Sequence, residues 1–141
     1  MDLKEKLELL RLTNKFKKYD GIKEFEIFSI DKLTEREREV LSEIETDSDK
    51  SIDKLAFDTN YTNYLLWSKE KIAPYAKCDS EIIIINNYRL VFIKVENIDA
   101  FLEDYFKEEE CFSIYILNRK MKKWIVVSKG EYFLEYFNKD I

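Results

Sequence analysis

Leu9, Leu12, Phe16 and Tyr19 recur at spacings of three, four and three, and Leu3 and Leu7 extend the stripe. That period predicts a helix packed along one face. Asp2 and Glu5 stand in its first turn and Lys15, Lys17 and Lys18 in its last, so both ends complement the helix dipole. Gly21 follows where a helix end favours positive φ. From Lys23 to Ser29 the period shortens to two, with Phe25 and Ile27 separated by charges, the pattern of a half-buried strand. Thr34 followed three residues on by Glu37 forms a capping box, and Val40, Leu41 and Ile44 give the helix behind it an apolar face that ends near Thr46.

The middle of the chain has weaker periodicity. Ile52–Phe57 reads as a short helix, and the aromatic and apolar composition of Asn63–Ser68 reads as a strand, with Ser68 capping a short turn before Pro74. The second half is clearer. Glu81 to Ile85 and Tyr88 to Val95 form a hairpin across Asn86-Asn87, and Asn97 caps a helix carrying Ile98, Phe101, Leu102 and Tyr105. The acidic triple Glu108-Glu109-Glu110 opposes the dipole at that helix's end and predicts a stop near Lys107. Cys111–Leu117 and Trp124–Ser128 form a second hairpin, and Glu131–Asn138 closes the chain as a short helix or an ordered tail. The order predicts one α+β domain over residues 1–141: an antiparallel sheet of about five to six strands with helices packed mainly on one face. The runs Ile82–Ile85 and Ile125–Val127 are apolar without alternation, so they belong in its centre.

Composition narrows the chemistry. The 141 residues include nine Tyr, ten Phe and two Trp, enough for a substantial core, and only two Gly and one Pro. There is no His. That removes imidazole acid–base catalysis, the Ser-His and Cys-His nucleophile systems, and His-containing zinc sites. Cys78 and Cys111 form no C-x-x-C pair and read as buried, reduced thiols of a cytosolic protein. The N-terminal residues have neither the basic start nor the apolar block of a secretory signal, and the expected location is the cytoplasm. With no phosphate loop and no nucleophile elbow, a non-enzymatic protein without cofactor or metal is expected. The spacing of Asp47, Asp49, Ser51, Asp53 and Asp58 imitates a calcium loop. It places Ile52 where such a loop needs Gly and ends in Asp where it needs Glu.

Two charged features remain. Arg119-Lys120-Met121-Lys122-Lys123 is a basic turn beside Trp124, but a net charge of −5 argues against direct nucleic-acid binding. On a wheel of 100° per residue, Glu35, Glu39 and Glu43 fall on the side of their helix opposite Val40, Leu41 and Ile44. Glu45, Asp47 and Asp49 continue the negative ridge. Like charges four apart cost a few tenths of a kcal/mol per pair, which Arg36 and Arg38 offset in part. Such a ridge steers association with a basic partner.

The stretch Phe112-Ser-Ile-Tyr-Ile-Leu-Asn-Arg-Lys-Met-Lys-Lys-Trp124-Ile-Val-Val-Ser128, followed by Gly130-Glu-Tyr-Phe-Leu-Glu-Tyr-Phe137, resembles small bacterial immunity-type proteins and related uncharacterised Firmicute domains. The likeness runs from about Tyr88 onward. Those relatives often carry a His-Glu pair after the last strand, where this chain has Lys129-Gly130-Glu131. The resemblance implies a protein-binding role, neutralising a toxin domain made beside it. The expected partner is thus another protein, such as a toxin or nuclease domain, and not a membrane. Glu35, Glu39, Glu43, Glu45, Asp47 and Asp49 are its candidate binding residues. The competing readings are a phage-encoded acidic inhibitor that mimics DNA, and a small enzyme working with carboxylates.

Overall fold

In a computed structural model of the protein, which describes residues 1–46, 51–56, 60–108, 113–130 and 132–141, the alternating stretches pair into one antiparallel sheet. The elements are α1 (Leu3–Lys18), β1 (Ile22–Ser29), α2 (Glu35–Thr46), β2 (Asp53–Ala56), α3 (Tyr61–Ile72), β3 (Glu81–Asn86), β4 (Arg89–Val95), α4 (Ile98–Glu108), β5 (Ile114–Asn118), β6 (Lys123–Lys129) and β7 (Phe133–Asp140). The seven strands lie in the order β1-β4-β3-β5-β6-β7-β2, every neighbour antiparallel. The α+β expectation holds. The strand count exceeds it because β2 and β7 come from segments expected to be helical or irregular.

Alternation along each strand sorts side chains to two faces. Ile82, Ile84, Val91, Ile93, Ile116 and Ile125 meet Phe16 and Tyr19 of the α1 end, Ile72 of α3 and Phe101, Leu102 and Tyr105 of α4. Their sequence neighbours Ile83, Leu90, Leu117, Trp124 and Val126 point the other way and meet Leu33, Val40 and Ile44. Among the described residues, therefore, α1, α3 and α4 cover one face, and α2 is the one α-helix on the other. The runs expected at the centre, in β3 and β6, are buried on both sides. Gly21, at φ +79°, brings the end of α1 against the start of α4, its carbonyl accepting from Glu96 N–H at 2.7 Å and Asn97 N–H at 3.0 Å.

Several expectations need correction. The segment expected as a short helix at 52–57 is strand β2 over its described residues. Asp53 pairs with Tyr136 and Leu55 with Leu134, and the Ile52 N–H donates to the Tyr136 carbonyl at 2.7 Å. A neighbouring strand edge with free backbone groups decides the conformation of four residues too short to carry a period. The strand expected at Asn63–Ser68 is instead helix α3. The Asn60 side chain caps it, accepting from Asn63 N–H at 3.0 Å. Ser68 is a fully buried interior residue of that helix, not a cap. It stands in the helical row with Leu65 and Ile72, so a polar residue at a core position broke the apolar period. The closing segment forms β7, paired with β6; Tyr136 is buried on the face covered by α1, α3 and α4, Phe137 on the α2 face, and Leu134 is buried as well; Glu131 lies outside the described residues. In the first hairpin the turn is Asn87-Tyr88, one residue beyond the expected pair, with φ of 49° and 60°. Asn86 pairs with Arg89 as the last residue of β3. Cys78 is an exposed free thiol, not a buried one, and Cys111 lies outside the described residues.

Candidate protein-binding face

Both halves of the capping box form at the start of α2. Thr34 Oγ1 accepts from Glu37 N–H at 3.1 Å, and Glu37 Oε1 accepts from Thr34 N–H at 2.9 Å. Val40 and Ile44 then press onto the sheet, each no more than 3% exposed. Two contacts from the β5–β6 hairpin fix the helix. Trp124 Nε1–H donates to the Glu37 carbonyl at 2.9 Å. Arg119 grips the Glu37 carboxylate with two hydrogen bonds, Nε to Oε2 at 2.9 Å and NH2 to Oε1 at 3.0 Å, and also donates to the Lys32 carbonyl at 3.0 Å. Its guanidinium lies 5.6 Å over the Phe92 ring. Burial alone would raise the Glu37 pKa. The Arg119 and Thr34 hydrogen bonds outweigh it and hold the carboxyl below its ordinary value.

With Glu37 turned inward, Glu35, Glu39 and Glu43 stand exposed along the opposite side and, with Arg38 and Ser42, line a shallow hollow. Neither arginine neutralises the whole row. Arg36 pairs with Glu39 at 3.3 Å, and Arg38 donates to the Leu33 carbonyl at 3.0 Å. Glu35 and Glu43 make no hydrogen bond or ion pair among the described residues. Glu45 is exposed too, but it lies on the flank, at a second hollow lined by Lys54, Tyr115, Tyr132 and Phe133. Asp47 and Asp49 lie outside the described residues. The structure thus brings together three of the six expected residues and sets Glu45 apart.

Beside the ridge is a feature that the sequence did not disclose. Because α2 covers β5, β6 and β7, it leaves β1, β4 and the start of β3 open on the same face. The hollow there measures about 1070 Å³. Phe28 and Phe92, with ring centroids 4.7 Å apart, and Ile83 contribute its apolar lining. Glu24, Lys94 and Glu81 face one another in register across three strands at its rim. The pairing of Glu26 with Phe92 and of Phe28 with Leu90 puts Phe28 and Phe92 on one face; no local pattern in the sequence gives that register or tells which helix will cover it.

The basic turn is partly consumed by structure: Arg119 holds Glu37, and Lys123 pairs with Asp140 at 2.6 Å. The other carboxyls with shifted pKa values are likewise held down by lysines: Asp53 by Lys71, Asp79 by Lys23 and Glu103 by Lys69. A general acid requires the opposite direction. Among the described residues no cluster of Cys, Asp and Glu could hold a metal ion, and no helix is long and apolar enough to cross a membrane. Compared with family models, with curated proteins and with solved structures, the chain finds no match in any of the three.

Proposed function

We propose that this chain is a cytoplasmic, non-enzymatic binding protein of the immunity or inhibitor kind, which occupies a basic surface of a partner protein such as a nuclease domain. The observation that supports this reading is the row Glu35, Glu39 and Glu43 on the outer side of a helix whose Glu37 is locked inward by Arg119. With Glu37 locked into the core side, a rigid helix holds Glu35, Glu39 and Glu43 outward along an edge where carboxylates outnumber the flanking Arg36 and Arg38. Charges held on a rigid element act at a distance without first being ordered, so their effect falls on the rate of encounter. The open Phe28–Phe92 hollow on the same face supplies apolar contact area next to the ridge, which supports a partner that spans both.

The test is kinetic. The protein is mixed with the product of the neighbouring reading frame, and association is followed by stopped flow at low and moderate salt. Replacing Glu35, Glu39 and Glu43 together by Lys slows association at low salt by about tenfold or more and flattens its salt dependence, with a smaller effect on dissociation. Unchanged association rates in that variant would remove the mechanism.

A further inference from the structure

Helix α1 is apolar on two opposite sides. Leu12, Phe16 and the following Tyr19 enter the core, whereas Leu3, Leu7 and Leu10, at spacings of four and three, are 73%, 49% and 56% exposed. On a wheel of 100° per residue those leucines point directly away from the sheet. The charges around them are sorted. Lys4, Arg11 and Lys18 flank the leucine ridge on one side and Lys6 and Lys17 on the other, all exposed. Asp2, Glu5 and Glu8 fall on the half of the wheel turned toward the sheet, and Asp2 is engaged as the helix cap, accepting from Glu5 N–H at 2.8 Å.

We propose that this ridge docks on an anionic lipid bilayer, with α1 lying in the headgroup layer, its leucines inserted and its cations against the lipid charges. A convex apolar ridge with basic residues on both flanks is the form of an interfacial helix, and it needs no complementary groove. Two other occupants fit less well. A second copy packed antiparallel through Leu7 would bring Lys4, Lys6 and Arg11 against the same residues of its partner, a repulsive arrangement. A partner helix would find the stripe continued by Asn14 and Lys17, so the seam ends well short of the three to four heptads that helix pairing needs. The net charge of −5 is no obstacle, because the α2 carboxylates lie across the sheet. On the near side, Glu103 and Asp104 of α4 are occupied by Lys69 and by the Asp20 N–H. The docking is peripheral, and it departs from the sequence expectation of no membrane partner.

The experiment is co-sedimentation with vesicles of phosphatidylcholine alone and of phosphatidylcholine with about one-third phosphatidylserine. The parent protein partitions onto the anionic vesicles at least about tenfold more than onto the neutral ones, and high salt reduces the difference. Replacing Leu7 and Leu10 by Ser lowers partitioning by about twentyfold. Replacing Lys4, Lys6 and Arg11 by Glu lowers it by about a hundredfold. Replacing Lys120 and Lys122 by Glu, in the exposed turn between β5 and β6, leaves it unchanged. All these positions are exposed, so circular dichroism should show the parent fold throughout. Equal binding to both vesicles, no binding to either, leucine variants that bind like the parent, or an equal loss in the turn variant would each overturn the proposal; failure on both vesicles would point to an acidic groove on a protein instead.

Discussion

Removing Arg119 isolates the Glu37 carboxylate in a place it cannot leave. The Glu37 side chain is 7% exposed and that of Arg119 is 40% exposed, so the two halves of the pair respond differently to mutation. Arg119→Ala strips two charge-assisted hydrogen bonds from a carboxylate that retains only the Thr34 N–H. A fully buried pair broken this way costs about 3–5 kcal/mol. Discounting for the exposure of Arg119 brings the expected loss to about 2 kcal/mol. For a domain of this size that is about 6 °C in Tm. Glu37→Gln keeps both hydrogen bonds of the capping box and leaves behind an arginine that water can reach, so its cost should be nearer 1 kcal/mol. The double variant should lose less than the sum, by a coupling of about 1 kcal/mol. The pH dependence carries the sign. In the parent, the Glu37 pKa lies below its ordinary value of 4.5, so the pair stabilises above that value and is lost as pH falls through the folded pKa. In Arg119→Ala the carboxyl is buried without its cation, and protonation relieves the penalty. Urea unfolding at about pH 7, 5 and 3.5 should therefore show the deficit of the variant shrinking toward zero in acid. A deficit below about 0.5 kcal/mol at neutral pH, or one that does not change with pH, would refute the account of how α2 is held.

Two further outcomes follow from single positions. Tyr88 occupies φ 60° at a hairpin tip and is 88% exposed, so Tyr88→Gly should relieve the left-handed backbone and stabilise the hairpin by about 1 kcal/mol, measured by chemical unfolding. Tyr136 has its pKa pushed up to about 12, chiefly by burial; above pH 10 the unfolded chain ionises this tyrosine first, so stability should fall between about pH 10 and 12, and Tyr136→Phe should lessen that fall.

The helices with good caps were legible in the sequence: α2 with Thr34 and Glu37, α4 behind Asn97, and α1 with its buried Leu12 and Phe16, although Leu3 and Leu7, expected to extend that row, lie exposed on the opposite side. So were β3, β4, β5 and β6 as strands of two hairpins, with the apolar runs of β3 and β6 announcing central positions. The misreadings at β2, α3 and β7 share a cause. Ser68 sits where a helical row wants an apolar residue, and its neighbours Tyr64 and Trp67 favour a strand by composition, whereas the helix is decided by the Asn60 cap and by packing against α4. β7 becomes a strand because β6 offers an edge, and β2 because β7 then offers another; an edge is a property of the assembled sheet. The outer carboxylates of α2 could be placed by spacing alone. Their inward counterpart could not, because Glu37 and Arg119 are 82 positions apart and no local pattern links a capping residue to a hairpin tip.

Among the described residues α2 is the one α-helix packed on its side of the sheet, held there by Arg119, Trp124 and its own apolar row. Its departure would bare Trp124, Val126, Leu117 and Phe137 together, so it is the natural unit of sub-global opening in this molecule. Amide hydrogen exchange should then release the α2 protons as a cooperative block ahead of β3 and β6. A ligand that clamps α2 would slow that block first, and chains caught with it lifted would be the ones that aggregate.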